Sequence, residues 1–255
     1  MVKKMNTLKI NTRKELGEII KKYREEFNYS QDKLAKKMNL PRSAISLIES
    51  GKRDLSSSEL AIFSKLFDLS IDELLYKDKY EKDINLKDTA DKPIFNKEKF
   101  KQILLYIIEK CGLKVNVGKT VIYKLLYFID FDYYELNEEY LTGELYRKID
   151  HGPAPFHFEE IEKELLDDKM IVKTIVEYHE YNQIKYIPLV KSNISLLNAA
   201  EKEIIDNVIE RLSSMNAKQV EDYSHRDVPY EITDDKNIIN YETVFYRKDM
   251  HSVRE

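Results

Sequence analysis

Apolar side chains recur along the first third of the chain with the period of a helix. Leu16, Ile19, Ile20, Tyr23 and Phe27 fall at i, i+3, i+4, i+7 and i+11, one stripe on a helical surface. Leu34, Ala35 and Met38 give the next segment an apolar side. Ala44, Ile45 and Ile48 follow, then Leu60, Ile62, Phe63 and Leu66, then Ile71, Leu74 and Leu75. This pattern predicts five short helices that share one small core. It then stops. Of the 17 residues from Lys77 to Pro93, ten are charged and only Tyr80, Ile84, Leu86 and Ala90 are apolar. So polar a stretch buries too little surface to offset its chain entropy. Residues 77–94 are therefore expected to be a linker, spanning about 20–25 Å as a coil.

Periodicity resumes near Phe95. Phe100, Ile103, Leu104, Ile107 and Ile108 mark a helix, and a more apolar one is expected from about Val117 to Tyr134. ELYRKI reads as a strand, and Gly152-Pro153-x-Pro155 as a rigid turn that ends it and launches the helix FHFEEIEKELLDD. IVKTIVEYH (171–179) and IKYIPLV (184–190), separated by EYNQ, read as a β-hairpin. A further helix is expected from about Asn198 to Leu212, with Asn198 or Leu197 near its cap. No internal repeat is visible. The expected fold class is mainly α (α+β). It consists of a five-helix bundle over 14–76, the charged linker over 77–94, and an α-helical domain with a small β-hairpin or sheet over 95–250.

Charge sharpens this division. Residues 1–80 carry 17 Lys and Arg against 12 Asp and Glu, while the rest of the chain carries 25 against 34. A basic module is joined to an acidic one, and such asymmetry points to nucleic acid on the first module only. No apolar run approaches the roughly 18 residues that a spanning helix needs, and the N-terminus lacks the apolar core of a signal peptide. Cys111 is the only cysteine, so no disulfide framework and no thiolate metal cluster is expected. The chain reads as a cytoplasmic protein without a membrane partner.

SQDKLAKKMNLPRSAISLIESGKR, Ser30 to Arg53, has the spacing of two helices joined by a tight turn. Ser30 is a good N-cap, Asn39-Leu40-Pro41 makes the turn, and Gly51 is a natural residue to follow the second helix. That helix, about Arg42–Ser50, buries Ala44, Ile45 and Ile48 and turns Arg42, Ser43, Ser46 and Leu47 outward. Arg42 can reach guanine O6 and N7, and the serines are permissive hydrogen-bond partners. Gln31 is placed for a phosphate, and Lys52 and Arg53 for the flanking backbone. Ser30-Gln31-x-x-Leu34-Ala35, Ile45-Ser46-x-Ile48-Glu49-x-Gly51 and the closing FDLSIDELL resemble the phage-repressor (Xre/Cro) helix-turn-helix family over about residues 14–75. Pro41 departs from the Ser or Thr often found there. The resemblance implies a dimer on double-stranded operator DNA, its half-sites about one helical turn apart.

In the second domain, Leu125, Leu126, Phe128 and Ile129 form the core face of a helix. Asp130 lies between apolar neighbours, so it is either exposed at a helix edge or held by a partner. KLLYFIDF, Leu141-Thr142-Gly143 with Tyr146, His151-Gly152-Pro153-x-Pro155, and the Leu197–Ile209 helix leading to Ser224-His225-Arg226-Asp227 together resemble the SocA-like, or Panacea, antitoxin domain over roughly residues 97–232. Val228 and Tyr230 depart from the Gly or Ala and the Trp often found there. The resemblance implies an antitoxin that holds a co-encoded toxin by direct contact and represses its own operon.

The partner contacts expected on this basis are Asp130, Tyr133, Tyr134, Tyr140, Tyr146, His151, His225 and Arg226. The segment DFDYYELNEEY combines aromatic area with negative charge. It reads either as a docking edge for a basic toxin surface or as an ordinary solvated helix end. Other readings are a regulator whose second domain senses a protein or a small molecule, and an adaptor that delivers the partner to a protease. Catalysis is not expected. The five histidines form no HExxH or His-rich pattern, glycine-rich phosphate loops are absent, and the Ser-His-Arg-Asp run does not by itself place a triad in space. No metal and no cofactor is expected.

Overall fold

The computed structural model describes residues 10–67, 69, 71–75, 93–178 and 181–254. Residues 77–92 of the expected linker, and His179, lie outside the described residues. The chain divides near residue 90 into two compact units.

The first unit is a bundle of five helices: α1 (Arg13–Glu26), α2 (Gln31–Lys37), α3 (Arg42–Glu49), α4 (Ser57–Phe67) and α5 (Ile71–Leu75). Local signals set their ends. Thr12 and Glu15 form a capping box on α1, and the Ser30 hydroxyl accepts from Lys33 N on α2. Each of the first three helices closes on a left-handed residue, Asn28, Asn39 and Gly51, with φ of 52°, 54° and 69°. The next backbone N–H then reaches back into the last turn. Tyr29 N donates to Arg24 O, Leu40 N to Ala35 O and Lys52 N to Leu47 O, at 2.8–2.9 Å. Asn and Gly tolerate this conformation better than other residues, so the turns sit where the sequence supplies them.

The core gathers Ile20, Leu34, Ile45 and Ile48 around the aromatic cluster Phe27, Tyr29, Phe63 and Phe67. A Cβ on Gly17 would overlap the Ile48 carbonyl, so glycine lets α1 cross close to α3. Ile62, expected on the inner stripe, is exposed instead. It lies about 100° round α4 from Phe63, and Phe63, Leu66 and Phe67 fill that side of the core.

The second unit is built on α7 (Lys119–Asn137), in which every residue from Val121 to Glu135 is buried. It is packed by α6 (Lys97–Cys111), by α9 (Ala199–Leu212) and α10 (Ala217–His225), and by a 3-10 segment at Tyr241–Tyr246. A helix covered on all sides must hold its ionisable side chains in pairs. Asn198 caps α9 through a capping box with Glu201.

Two small sheets complete the unit. β1 (Tyr146–Ile149) pairs antiparallel with β2 (Gly152–Pro155), Tyr146 opposite Pro155 and Ile149 opposite Gly152. The Gly-Pro-x-Pro run is thus a strand, and the turn lies one step earlier at Asp150-His151. Phe156 N donates to Leu145 O, so even-numbered residues of β2 face the ladder. Pro153 and Pro155 stand where a missing N–H costs nothing. After α8 (Phe158–Asp167), β3 (Ile171–Tyr178) pairs with β4 (Tyr181–Pro188), whose start falls inside the expected EYNQ loop. The short α11 (Val228–Ile232) follows α10. Among the described residues, no helix is long and apolar enough to cross a membrane.

Candidate functional site

The turn between α2 and α3 leaves one side of α3 uncovered. Arg42, Ser43 and Ser46 are exposed and Leu47 is 43% exposed, while Ala44, Ile45 and Ile48 are buried. Arg42 Nε lies 3.7 Å from Asp32 Oδ2, a loose and solvated approach. Lys52 is exposed just beyond the helix. Two other expected contacts are already engaged. Gln31 Nε2 donates to Glu49 Oε2 at 2.9 Å, and that buried carboxylate also receives Nε and Nη2 of Arg24. Arg53 makes two hydrogen bonds to Glu59, at 2.7 and 3.2 Å, and holds that carboxyl below the usual range. Glu59 in turn closes a capping box with Ser56 at the start of α4. The helix Arg42–Glu49 is thus locked to its neighbours at its C-terminal end and bare along its outer side, the arrangement that a groove-reading helix needs.

In the second unit the buried carboxylates of α7, Asp130, Asp132 and Glu135, each meet a partner. Asp130, 1% exposed, accepts from Thr142 N and Oγ1 at 3.1 and 2.8 Å and from Tyr146 OH at 2.6 Å. Burial pushes its carboxyl up to about 7 against these hydrogen bonds. One step round the helix, Arg247 lies wholly buried among three carboxylates. Its Nη1 donates to Asp132 at 2.7 Å and Glu135 at 2.9 Å, and its Nε and Nη2 to Asp227 at 2.9 and 2.7 Å. Arg211 adds a second cation on Asp132, and Tyr127 OH donates to Asp227. Glu144 accepts from the backbone of Leu145, Phe156 and His157 and lies 3.0 Å from His157 Nδ1.

A third cluster forms where the β1–β2 turn meets α10. His151 Nδ1 lies 3.3 Å from Glu221 Oε2. Against the cost of burial, His151 and Lys218 hold the Glu221 carboxyl down to about 2. His225 stacks on Tyr230 at 4.7 Å, and burial lowers its pKa. A Cβ on Gly152 would lie 2.7 Å from both Lys124 Cε and Ser224 Oγ. Glycine there lets the turn close over the buried lysine.

A family model described as Helix-turn-helix matches residues 20–74. One described as Antitoxin SocA-like, Panacea domain matches residues 122–229. The chain joins a helix-turn-helix domain to a SocA-like Panacea domain. No curated protein and no solved structure matches it. The helix-turn-helix match points to DNA and the Panacea match to an antitoxin-type family. Neither description names a reaction, and among the described residues no group of three or more His, Cys, Asp or Glu could hold a metal ion.

The fold of the Panacea domain sorts the expected partner contacts into two sets. His151, His225 and the exposed Arg226 come together at the β1–β2 turn and the end of α10. Asp130, Tyr133, Tyr134 and Tyr146 are buried. Tyr140, half-buried, packs on Tyr134 and Tyr241. Most of the acidic, tyrosine-rich segment is therefore no solvated edge. Its buried carboxylates Asp130, Asp132 and Glu135 face Thr142, Arg211 and Arg247, and residues 136–139, with Glu138 and Glu139, are exposed. Ser224 and His225 form the last turn of α10, a helix that stands between α9 and this cluster. Their hydrogen bonds differ: the Ser224 hydroxyl donates to Glu221 O, whereas Asp227 holds Arg247. Arg247 is the group that sequence reasoning missed. An arginine in a polar C-terminal segment resembles any surface arginine, and its partners lie as far as 115 positions away.

Proposed function

We propose that this chain is the antitoxin of a toxin–antitoxin module. Its Panacea domain, over residues 95–250, holds a co-encoded toxin inactive by direct binding. Its helix-turn-helix domain, over residues 14–76, sits as a dimer on the operator and represses the module. One observation carries the reading: a single chain joins a bare recognition helix, Arg42–Glu49, to a domain of the antitoxin type. Arg42 and the Ser43 and Ser46 hydroxyls supply groove donors, Leu47 supplies an apolar contact, and Lys52 meets the phosphates. Gln31 and Arg53 act chiefly by holding α3 in register. Arg226, beside His151 and His225, is a candidate contact to the partner.

Two experiments test the two halves separately. The paired substitution Arg42→Ala and Ser46→Ala is expected to abolish the shift of the chain's own promoter fragment while leaving helicity unchanged. Unchanged affinity would refute the DNA half. Expression of the adjacent gene is expected to be toxic alone and harmless beside this chain. A neighbour that is harmless alone, or that stays lethal in the pair, would refute the antitoxin half.

A further inference from the structure

The loop between α6 and α7, residues 112–118, presents two apolar side chains to solvent in a rigid setting. Leu113 is 70% exposed and Val115 69%. Loops this exposed are usually mobile, yet this one is pinned along its length. Lys114 Nζ donates to Ser213 Oγ at 2.6 Å, and Asn116 Nδ2 to Ser213 O at 2.9 Å and Met215 O at 2.7 Å. From the other side Lys185 Nζ donates to the carbonyls of Lys114 and Val117, and Gln183 Nε2 to that of Asn116. Lys185 is itself buried, and its pKa is lowered by that burial.

Two of the six glycines in the chain bracket the loop. A Cβ on Gly112 would lie 2.6 Å from Ile108 O and 2.9 Å from Tyr186 O, and one on Gly118 would overlap the Gln183 side chain. The backbone is thus pressed against β4 at both ends, and Leu113 and Val115 are turned away from the core. The backbone that carries them is therefore held in place before a partner arrives, which lowers the ordering cost of binding.

The charge that reaches solvent beside the loop is mainly positive, within a domain that is acidic as a whole. Lys110, Lys114 and Lys191 are exposed, whereas Lys119 and Lys124 are buried; of the carboxylates, Asp206 faces Lys110. The nearest acid along the chain, Glu109, accepts both hydrogen bonds that Ser192 donates and faces Lys191 and Lys110.

We propose that this loop is the anchor by which the Panacea domain grips its toxin, with Leu113 and Val115 entering an apolar pocket whose rim carries carboxylates. The proposal rests on the antitoxin reading and names the surface that does the work. Rigid apolar anchors inside a ring of polar groups are where binding energy concentrates. The exposed Lys110, Lys114 and Lys191 steer an acidic partner surface toward those anchors.

The test uses the full chain and the adjacent gene's product. Leu113→Asp with Val115→Asp removes the anchor at exposed positions, so melting and promoter binding are expected to stay as in the parent. Affinity for the co-encoded protein is expected to fall at least about 100-fold, roughly the loss of two buried apolar side chains, and protection in co-expression to disappear. Lys110→Glu with Lys191→Glu is expected to slow association several-fold, and added salt to shrink that difference. If the parent chain itself fails to bind or protect, the antitoxin reading falls and the anchor falls with it. A parent that protects, beside a folded Leu113→Asp, Val115→Asp variant that protects equally, overturns the anchor alone. A variant that changes from dimer to monomer on sedimentation while still binding the toxin assigns the loop to a second copy of this chain, and also overturns the proposal.

Discussion

Replacing Arg247 with Met leaves Asp132, Glu135 and Asp227 buried with Arg211 as the remaining cation bonded to them among the described residues. Four hydrogen bonds from the guanidinium to carboxylates are lost. At about 1.5–3 kcal/mol each they set an upper bound of about 6–12 kcal/mol. The carboxylates relax by taking up protons, so the expected net loss is about 3–5 kcal/mol, the usual result of removing one partner from a buried ion cluster. For a unit of this size that corresponds to a fall of about 6–20 °C in the melting midpoint.

The loss also depends on pH with a definite sign. Burial already pushes the Asp132 carboxyl up despite two arginines, and removal of Arg247 pushes it further. A carboxyl whose folded pKa exceeds its unfolded value penalises folding above the folded pKa, and the penalty disappears as pH falls toward the unfolded value. The deficit of Arg247→Met is therefore expected to shrink from about pH 8 to about pH 5. Urea unfolding followed by far-ultraviolet circular dichroism measures it, with the exposed neighbour Lys248→Met as a control. A loss below about 1 kcal/mol at neutral pH, or a deficit equal at both ends of the range, would refute the account of Arg247 as the counter-ion of the domain.

Asp130, with a folded pKa of about 7 against about 3.9 unfolded, penalises folding increasingly as pH rises through that window. Asp130→Asn is expected to flatten the parent's decline in stability between about pH 4 and 7, read by urea unfolding at a series of pH values. Gly51→Ala forces φ +69° on a residue with a Cβ, which would lie 2.8 Å from Lys14 Cα. A loss of about 1–2 kcal/mol or more in the first unit is expected, and an unchanged melt would remove the left-handed cap from the account of α3. Lys52→Ala is expected to reduce the slope of log K against log salt for operator binding by about 1, checked by promoter titration at several salt concentrations.

The helix-turn-helix domain was legible because what specifies it is local. Ser30, Asn39 and Gly51 set helix ends by hydrogen bonds that span only a few residues, and the stripe from Leu16 to Phe27 shows its period within four turns. The outward side of α3 followed directly, because Ala44, Ile45 and Ile48 leave only one side for Arg42, Ser43, Ser46 and Leu47. Even here the fold added a distinction: only the packed bundle shows that Gln31 and Arg53 are tied to Glu49 and Glu59.

The Panacea domain divides differently. Helices α6 to α9 and the β3–β4 hairpin could be read from period and composition, whereas the short α10 and α11 were not expected. Whether an acidic, tyrosine-rich segment faces water or the interior could not, since the same residues suit a docking edge and a buried ionic seam. Arg247 decides between them from more than a hundred positions away. Leu113 and Val115 show the converse. They are the residue types of a core, and only the loop pinned against β4 and Ser213 turns them outward. Periods and caps depend on interactions within a turn or two, which the order of residues alone determines. Burial and charge pairing depend on which distant segments close on one another, and that was decided by the tertiary structure.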